Sequence, residues 1–186
     1  MTKYRTIVAD PPWEYARGVS AGGTPGKPVT SYALPYAGMP LAEIMALPVA
    51  DLAERDTWLA MWTTNRYLPD AFNVLRAWGF QYRQTLVWHK LGPSPFGGTF
   101  AANGAEFLLA ASRGNPRVKE RWPNPSVITT NRMGAGSHSR KPEVWLDLIE
   151  HCCDGPYLEM FARRQRLGWD TWGNEALNHV DIEAAS

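Results

Sequence analysis

Four consecutive residues near the start of the chain, Asp10-Pro11-Pro12-Trp13, combine an acid, two stiffened carbonyls and an aromatic ring. That set suits the presentation of a weakly nucleophilic amine on a planar base, such as the exocyclic amine of adenine, to an alkyl donor. The lone pair of such a nitrogen is delocalised into the ring. A carboxylate and a backbone carbonyl that accept its N–H groups favour a pyramidal nitrogen. Two prolines fix φ and keep the carbonyl aimed, which is electrostatic preorganisation at small entropic cost. The aromatic side chain can stack on the base. No strong general base is needed, because the nitrogen loses its proton easily once alkylated. The lack of an obvious Ser/His/Asp or Cys/His constellation agrees with that chemistry. Taken purely as local structure, Asp-Pro-Pro is also a turn that ends a strand.

The elements around this motif alternate in type. Thr6 to Ala9 is a short apolar run stopped by Asp10-Pro11-Pro12, which predicts a buried strand. Residues 17–36 are rich in Gly, Pro, Ser and Thr and predict a long functional loop. Pro40 to Leu47 predicts a short helix, Thr57 to Trp62 a strand, and Leu68 to Trp78 an amphipathic helix capped by Gly79. Strands are predicted at Tyr82 to Trp88, Glu106 to Ala111 and Ser126 to Thr129. Residues 91–104 and 113–125 read as loops between them. Pro142 to Cys152 predicts a helix broken by Gly155-Pro156, and Tyr157 to Phe161 is the last predicted strand.

Strands that alternate with helices and are apolar throughout indicate an α/β sheet covered on both faces. Ligands of such sheets bind beyond the carboxyl ends of the strands. Asp10 to Trp13, Thr63-Thr64-Asn65 and Arg163 to Arg166 each follow a strand, so they are expected on one rim.

Composition narrows the class. The chain has 186 residues, 45% hydrophobic and 20% charged. That length predicts one domain over residues 1–186. No run of apolar residues approaches the roughly 18 needed to span a bilayer, so no membrane partner is expected. The two cysteines are adjacent, Cys152 and Cys153, and form no disulfide framework. That points to a reducing cytoplasm. Net charge is only +1, yet Glu106 to Trp145 holds seven basic and three acidic residues. A local basic face and a solvated loop both fit that excess.

Beyond the tetrapeptide, a series of blocks resembles the MT-A70 family of S-adenosylmethionine-dependent adenine-N6 methyltransferases. The blocks are Ala9 to Trp13, Pro35-Tyr36 with Met39, Leu47-Pro48-Val49, Trp58 to Asn65, Trp78-Gly79-Phe80, and Leu86 to Lys90. They continue with Gly104 and Glu106, His138 to Pro142, and Leu158 to Arg163. Their order is the family's, and they cover roughly residues 5–175.

The resemblance implies a Rossmann-like methyltransferase fold: a mostly parallel sheet with helices on both faces and circularly permuted motif order, catalytic motif first and cofactor strand last. It implies that Asp10 and the Pro11 carbonyl hold the target amine, that Pro12 and Trp13 complete the catalytic motif, and that Trp13 and Tyr36 shape the adenine pocket. Tyr15, Tyr36, Asn65 and Glu106 become candidate substrate contacts. For S-adenosylmethionine the candidates are Asp10, Lys141, Glu159, Phe161, Arg163 and Asn174. Lys141 would take the methionine carboxylate. Glu159, Phe161 and Arg163 would lie against ribose and adenine, and Asn174 would close the site.

Physical chemistry supports two of these roles separately. Lys141 precedes Pro142 at the expected start of a helix, where free backbone N–H groups add to a carboxylate site. Glu159, inside a strand, can accept ribose hydroxyls.

The implied substrate is adenine in nucleic acid, with DNA ahead of RNA, in a bacterial or phage-infected cell. A duplex would need its target base flipped out. The alternatives are an RNA adenine-N6 methyltransferase and a non-catalytic methyltransferase-like subunit that binds nucleic acid. A homodimer would enlarge the gripping surface.

Two departures from the family stand out. Only nine residues precede Asp10, so a cofactor wall that longer members supply upstream is expected to be missing or supplied elsewhere. Arg164-Gln165-Arg166 also replaces a commoner run of small and polar residues. No metal site is expected, since contiguous His151-Cys152-Cys153 cannot wrap one tetrahedral ion. Arg117, Lys119, Arg121 and Trp122 fit either a nucleic-acid contact or a solvated loop.

Overall fold

The strand that carries Asp10 lies inside the sheet, which explains why its residues are apolar on both sides. In a computed structural model that describes residues 2–14, 38–91, 100–131 and 141–182, β1 (Tyr4–Ala9) pairs in parallel with β2 (Ala53–Thr63) and β6 (Tyr157–Met160). Ile7 and Ala9 enter one hydrophobic cluster and Val8 the other, so neither face can alternate with polar residues.

Seven strands form one sheet in the order β5-β3-β4-β2-β1-β6-β7. The remaining strands are β3 (Gln81–Leu91), β4 (Ala105–Arg113), β5 (Val127–Asn131) and β7 (Trp169–Trp172). Every pairing is parallel except the two made by β4, which runs against β2 and β3. A reversed strand needs no crossover helix, and the stretch from Leu91 to Ala105 supplies none among its described residues. The reversal also brings the first residues of β4 to the rim where the other strands end.

Helices cover both faces. On one face α1 (Leu41–Ala46), α2 (Val49–Leu52) and α3 (Leu68–Ala77) pack Ile44, Val49, Val74, Leu75 and Trp78 against Leu59, Met61, Leu109, Leu158 and Met160. Trp78 Nε1 donates to Ile44 O at 2.9 Å and ties α3 to α1. On the other face α4 (Val144–Cys152) sets Trp145, Leu146 and Ile149 against Val8, Leu86 and Leu108. There Trp62 meets Trp145 and Trp88 edge-on at 5.1 and 6.2 Å. Six of the nine tryptophans are buried, so most of them fill the core rather than offering faces to a planar ligand.

Several expectations shift. β2 begins at Ala53, four residues earlier than its apolar run, because β1 pairs Tyr4 with Ala53 across an irregularity. α4 starts at Val144; Pro142 stands before it and its carbonyl accepts the Trp145 N–H at 3.2 Å. A further strand, β7, follows β6. It is four residues long, and its alternation of buried and half-buried positions in Trp169-Asp170-Thr171-Trp172 is too brief to read from sequence. Asp170 secures it by accepting the Tyr4 hydroxyl at 2.6 Å. The loop expected at 17–36 lies outside the described residues.

Candidate active site

Asp10 leaves the end of β1, and its N–H donates to Met160 O of β6 at 3.4 Å. The motif beyond it is pinned residue by residue. Pro11 O accepts the Trp13 N–H at 2.8 Å, and Pro12 O accepts the Met39 N–H at 2.7 Å. A carbonyl carries two lone pairs, so each retains one acceptor site. The Trp13 ring is buried, its Nε1 donates to Trp62 O at 3.3 Å, and Tyr67 stacks on it at 5.3 Å and 12°. The Tyr67 hydroxyl donates to Glu14 O. Trp13 therefore anchors the motif to the core, with one ring face already occupied by Tyr67.

Four charges converge beside the motif. Lys141 Nζ stands 2.6 Å from Asp10 Oδ2 and 3.4 Å from Glu106 Oε2. Glu106 Oε1 is paired with Lys90. Lys90 comes from β3 and Glu106 from the start of β4, where Glu106 lies opposite Trp88. Burial raises the Glu106 carboxyl, but Lys141 and Lys90 outweigh it and hold the group below the usual carboxylate range. The lysines sit over aromatic faces, Lys90 4.3 Å from the Trp88 ring centre and Lys141 5.3 Å from that of Trp62. Nearby, Asn65 Nδ2 donates to Asn103 Oδ1 at 3.2 Å at the rim ends of β2 and β4.

On the other side of Asp10, Glu159 lies in β6 beside Val8 of β1 and Thr171 of β7. Its Oε2 is buried without a hydrogen-bond partner. Burial pushes its carboxyl up to about 7; Arg164 opposes that rise and the Asp10 charge adds to it. The chain then turns sharply. Phe161 has φ of 61°, in the left-handed region, and its ring meets Trp172 edge-on at 5.1 Å. Gly173 passes so close that a Cβ there would fall 2.3 Å from Ala162 O. Exposed Asn174 follows it, beside the Phe161 turn. Arg163 Nε is 3.9 Å from Glu175.

The rim thus collects Asp10, Asn65, Glu106, Lys141, Glu159, Phe161, Arg163 and Asn174. Tyr15, Tyr36 and His138 lie outside the described residues. The run after Arg163 turns toward α4, with Arg164 still close enough to act on Glu159. Arg164 pairs with Glu143, and Arg166 reaches Glu143, Asp147 and Glu150 of α4 at 3.2, 2.6 and 2.8 Å.

Arg117 and Lys119 of the basic segment lie at the far end of the sheet, whereas Trp122 reaches the start of α4. Lys119 donates through its N–H to Cys152 O at 2.7 Å and through Nζ to Glu150 O at 3.2 Å, closing the C-terminus of α4. Arg117 O accepts Trp58 Nε1 at 3.1 Å, and Trp122 packs on Trp145. Lys90, Tyr67 and Asn103 join the site without having been expected there. Lys90 lies within a resembling block, whereas Tyr67 and Asn103 carry no sequence signal of their roles.

Among the described residues no group of three or more His, Cys, Asp or Glu side chains could hold a metal ion. None of the described helices is long and apolar enough to cross a membrane.

Comparison with known proteins agrees with this geometry. The MT-A70 family model matches residues 4–175. The type II methyltransferase M.MunI of a Mycoplasma species is 29% identical over 189 residues, covering 93% of this chain and 78% of that protein. The N(6)-adenosine-methyltransferase MT-A70-like protein of Drosophila melanogaster is 28% identical, covering 93% of this chain but 27% of its own length. The N(6)-adenine-specific methyltransferase METTL4 of Mus musculus is 28% identical, covering 96% of this chain and 39% of its own length. With a match from β1 to just beyond β7 and the Asp-Pro-Pro-Trp motif at the rim, the chain belongs to the MT-A70 family of adenine-N6 methyltransferases.

Proposed function

We propose that this protein transfers the methyl group of S-adenosylmethionine to N6 of adenine in DNA. The observation that carries the reading is the placement of Asp10 at the end of β1, inside the sheet, between Lys141 on one side and Glu159 on the other. The residues fit the cofactor. Glu159 offers a buried acceptor oxygen that lacks a donor, which is what a ribose hydroxyl supplies. Lys141 offers an ammonium for the methionine carboxylate, and Phe161 an aromatic edge for the adenine.

When bound, S-adenosylmethionine supplies an electrophilic methyl carbon on a sulfonium. In the transfer the N6 lone pair would form the new bond to that carbon while the carbon–sulfur bonding pair leaves with sulfur. Asp10 and the free lone pair of the Pro11 carbonyl accept the N–H groups of the target amine and concentrate its lone pair on nitrogen. The proton released afterwards passes to Asp10 or water. Trp13, locked by Tyr67 and Trp62, keeps those acceptors in place, which converts binding energy into orientation.

The choice of DNA leans on M.MunI, the relative matched over most of its own length. RNA is the second reading, favoured by the relative named as an N(6)-adenosine-methyltransferase. Labelled-methyl transfer to DNA and RNA in parallel, followed by digestion to nucleosides, separates them. The proposal expects label in N6-methyldeoxyadenosine; label confined to RNA supports the second reading.

A further inference from the structure

Three acids line one face of α4. Glu143 at its N-cap, Asp147 and Glu150 are spaced four and three residues apart, which on a helix puts them one above another. Left alone they would repel one another, and Glu150 stands in the last turn, where the helix dipole disfavours a negative charge. A single guanidinium answers all three. Arg166 donates from Nη1 to Glu143, from Nη2 to Asp147 and from Nε to Glu150, at 3.2, 2.6 and 2.8 Å. Its side chain is only 19% exposed, so water replaces little of what these acids supply. Arg164 adds a second cation on Glu143. Glu150 Oε1 also accepts Trp169 Nε1 at 2.5 Å, and Arg166 O accepts the Trp169 N–H at 3.1 Å, so the clamp joins α4 to the entry of β7. Both arginines belong to the run that departs from the family's commoner small and polar residues, and methyl transfer itself makes no use of them.

We propose that Arg166 is a positioning residue: by clamping α4 to the turn after β6 it sets the spacing between the two ends of the donor site, so that Lys141 meets the carboxylate of a donor whose ribose and adenine lie at Glu159 and Phe161. The assignment rests on the methyltransferase reading above. The two ends come from separate elements. Lys141 stands two residues before Glu143, whereas Glu159 and Phe161 belong to β6 and the turn that leaves it. Asp10 and Glu106 hold the tip of Lys141; the clamp holds the backbone from which that side chain extends. Apolar packing of Trp145, Leu146 and Ile149 keeps α4 on the sheet, but that attraction is non-directional. A planar guanidinium bonded to three carboxylates along the helix is directional, and a slide of α4 along its axis breaks those bonds. The donor spans both ends, so an error in their spacing is felt by a ligand that reaches both and not by one that occupies a single end.

The test compares two ligands. S-adenosylhomocysteine reaches both ends of the site; 5′-methylthioadenosine keeps the ribose and adenine and lacks the amino-acid carboxylate. Affinities for both are measured by calorimetry, well below the unfolding temperature, for wild type, Arg166→Met, Lys141→Met and the double variant. Lys119→Ala, which loosens α4 at its other end, is the control for stability alone. The assignment predicts that Arg166→Met weakens S-adenosylhomocysteine by about tenfold and 5′-methylthioadenosine by less than about twofold. In the Lys141→Met background the same substitution costs S-adenosylhomocysteine less than about twofold, because no carboxylate contact remains to be misplaced. Lys119→Ala leaves the ratio of the two affinities unchanged. Equal losses for both ligands, or no loss for either, overturn the assignment and leave Arg166 a part in stability alone. A loss in the double variant as large as in Arg166→Met overturns it too. Should Arg166→Met fail to fold, Glu143→Gln removes one acceptor, leaves Arg166 on Asp147 and Glu150, and is judged by the same split. Wild-type protein that binds neither ligand contradicts the methyltransferase reading itself.

Discussion

Lys141 Nζ and Asp10 Oδ2 lie 2.6 Å apart although 131 residues separate them in the chain. The contact joins the first strand to the entry of the last helix. It defines the point where the acid proposed for catalysis and the cation proposed for donor binding meet, at the end of β1. Glu159 approaches the same point through β6, whose pairing with β1 places it level with Val8.

Glu159 makes stability and donor binding depend on pH in opposite senses. Its folded-state value, about 7, lies above the ordinary carboxyl value, so the folded protein binds more protons between the two. Stability from this group is therefore greatest in acid and falls as pH rises through that window. Glu159→Gln cannot ionise, and it is expected to gain on the order of 2 kcal/mol over wild type at pH 8 and little at pH 4. Urea unfolding at the two pH values reads this. Conversely, the ionised carboxylate is the better acceptor for ribose hydroxyls, so wild-type affinity for S-adenosylhomocysteine rises from pH 6 to 8 and the variant's stays flat.

The Tyr67 ring is stacked on Trp13 and supports the Asp10–Trp13 segment. Tyr67→Leu removes the stack and the hydroxyl bond to Glu14 O. The expected loss is about 1 kcal/mol of stability, seen in urea midpoints. Turnover falls further than affinity for S-adenosylhomocysteine, because the misplaced groups belong to the amine and not to the donor. Equal losses in both would show that Tyr67 serves the fold alone.

Lys119 tests the basic segment. Since it closes the C-terminus of α4, Lys119→Ala is expected to cost about 0.5–1 kcal/mol. The affinity for DNA and its salt dependence are expected to stay unchanged, because Lys119 lies at the C-terminal end of α4, away from Asp10. A reduced salt slope for DNA binding would place nucleic acid on that surface.

Much of the fold is legible in the sequence, for identifiable reasons. Strands such as Thr6 to Ala9 announce themselves because burial on both faces demands continuous apolar residues. Pro40, Gly79 and Gly155-Pro156 mark helix ends through backbone constraints that are local. The positions of Asp10, Lys141 and Glu159 are readable because Asp10 follows a strand, Lys141 precedes a helix, and Glu159 is a charge inside an otherwise apolar strand. The features that escape depend on tertiary context. β7 is held as an edge strand by pairing with β6 and by the Tyr4 hydroxyl on Asp170, neither of which four residues can encode. The placement of Glu106 at the rim depends on the direction of β4, and antiparallel pairing leaves no mark in the apolar pattern of Phe107 to Ala111. Trp13 reads as a stacking platform because its type permits that; the Tyr67 ring over it is contributed from 54 positions downstream, and only the fold brings it there.

The most direct measurement is transfer of tritiated methyl from S-adenosylmethionine to unmethylated DNA by wild type and Asp10→Ala, with S-adenosylhomocysteine affinity measured on the same preparations. Wild type should place label in N6-methyldeoxyadenosine. Asp10→Ala should lose about a thousandfold or more in turnover while binding S-adenosylhomocysteine within a few fold of wild type. Near-normal turnover by Asp10→Ala would contradict the mechanism.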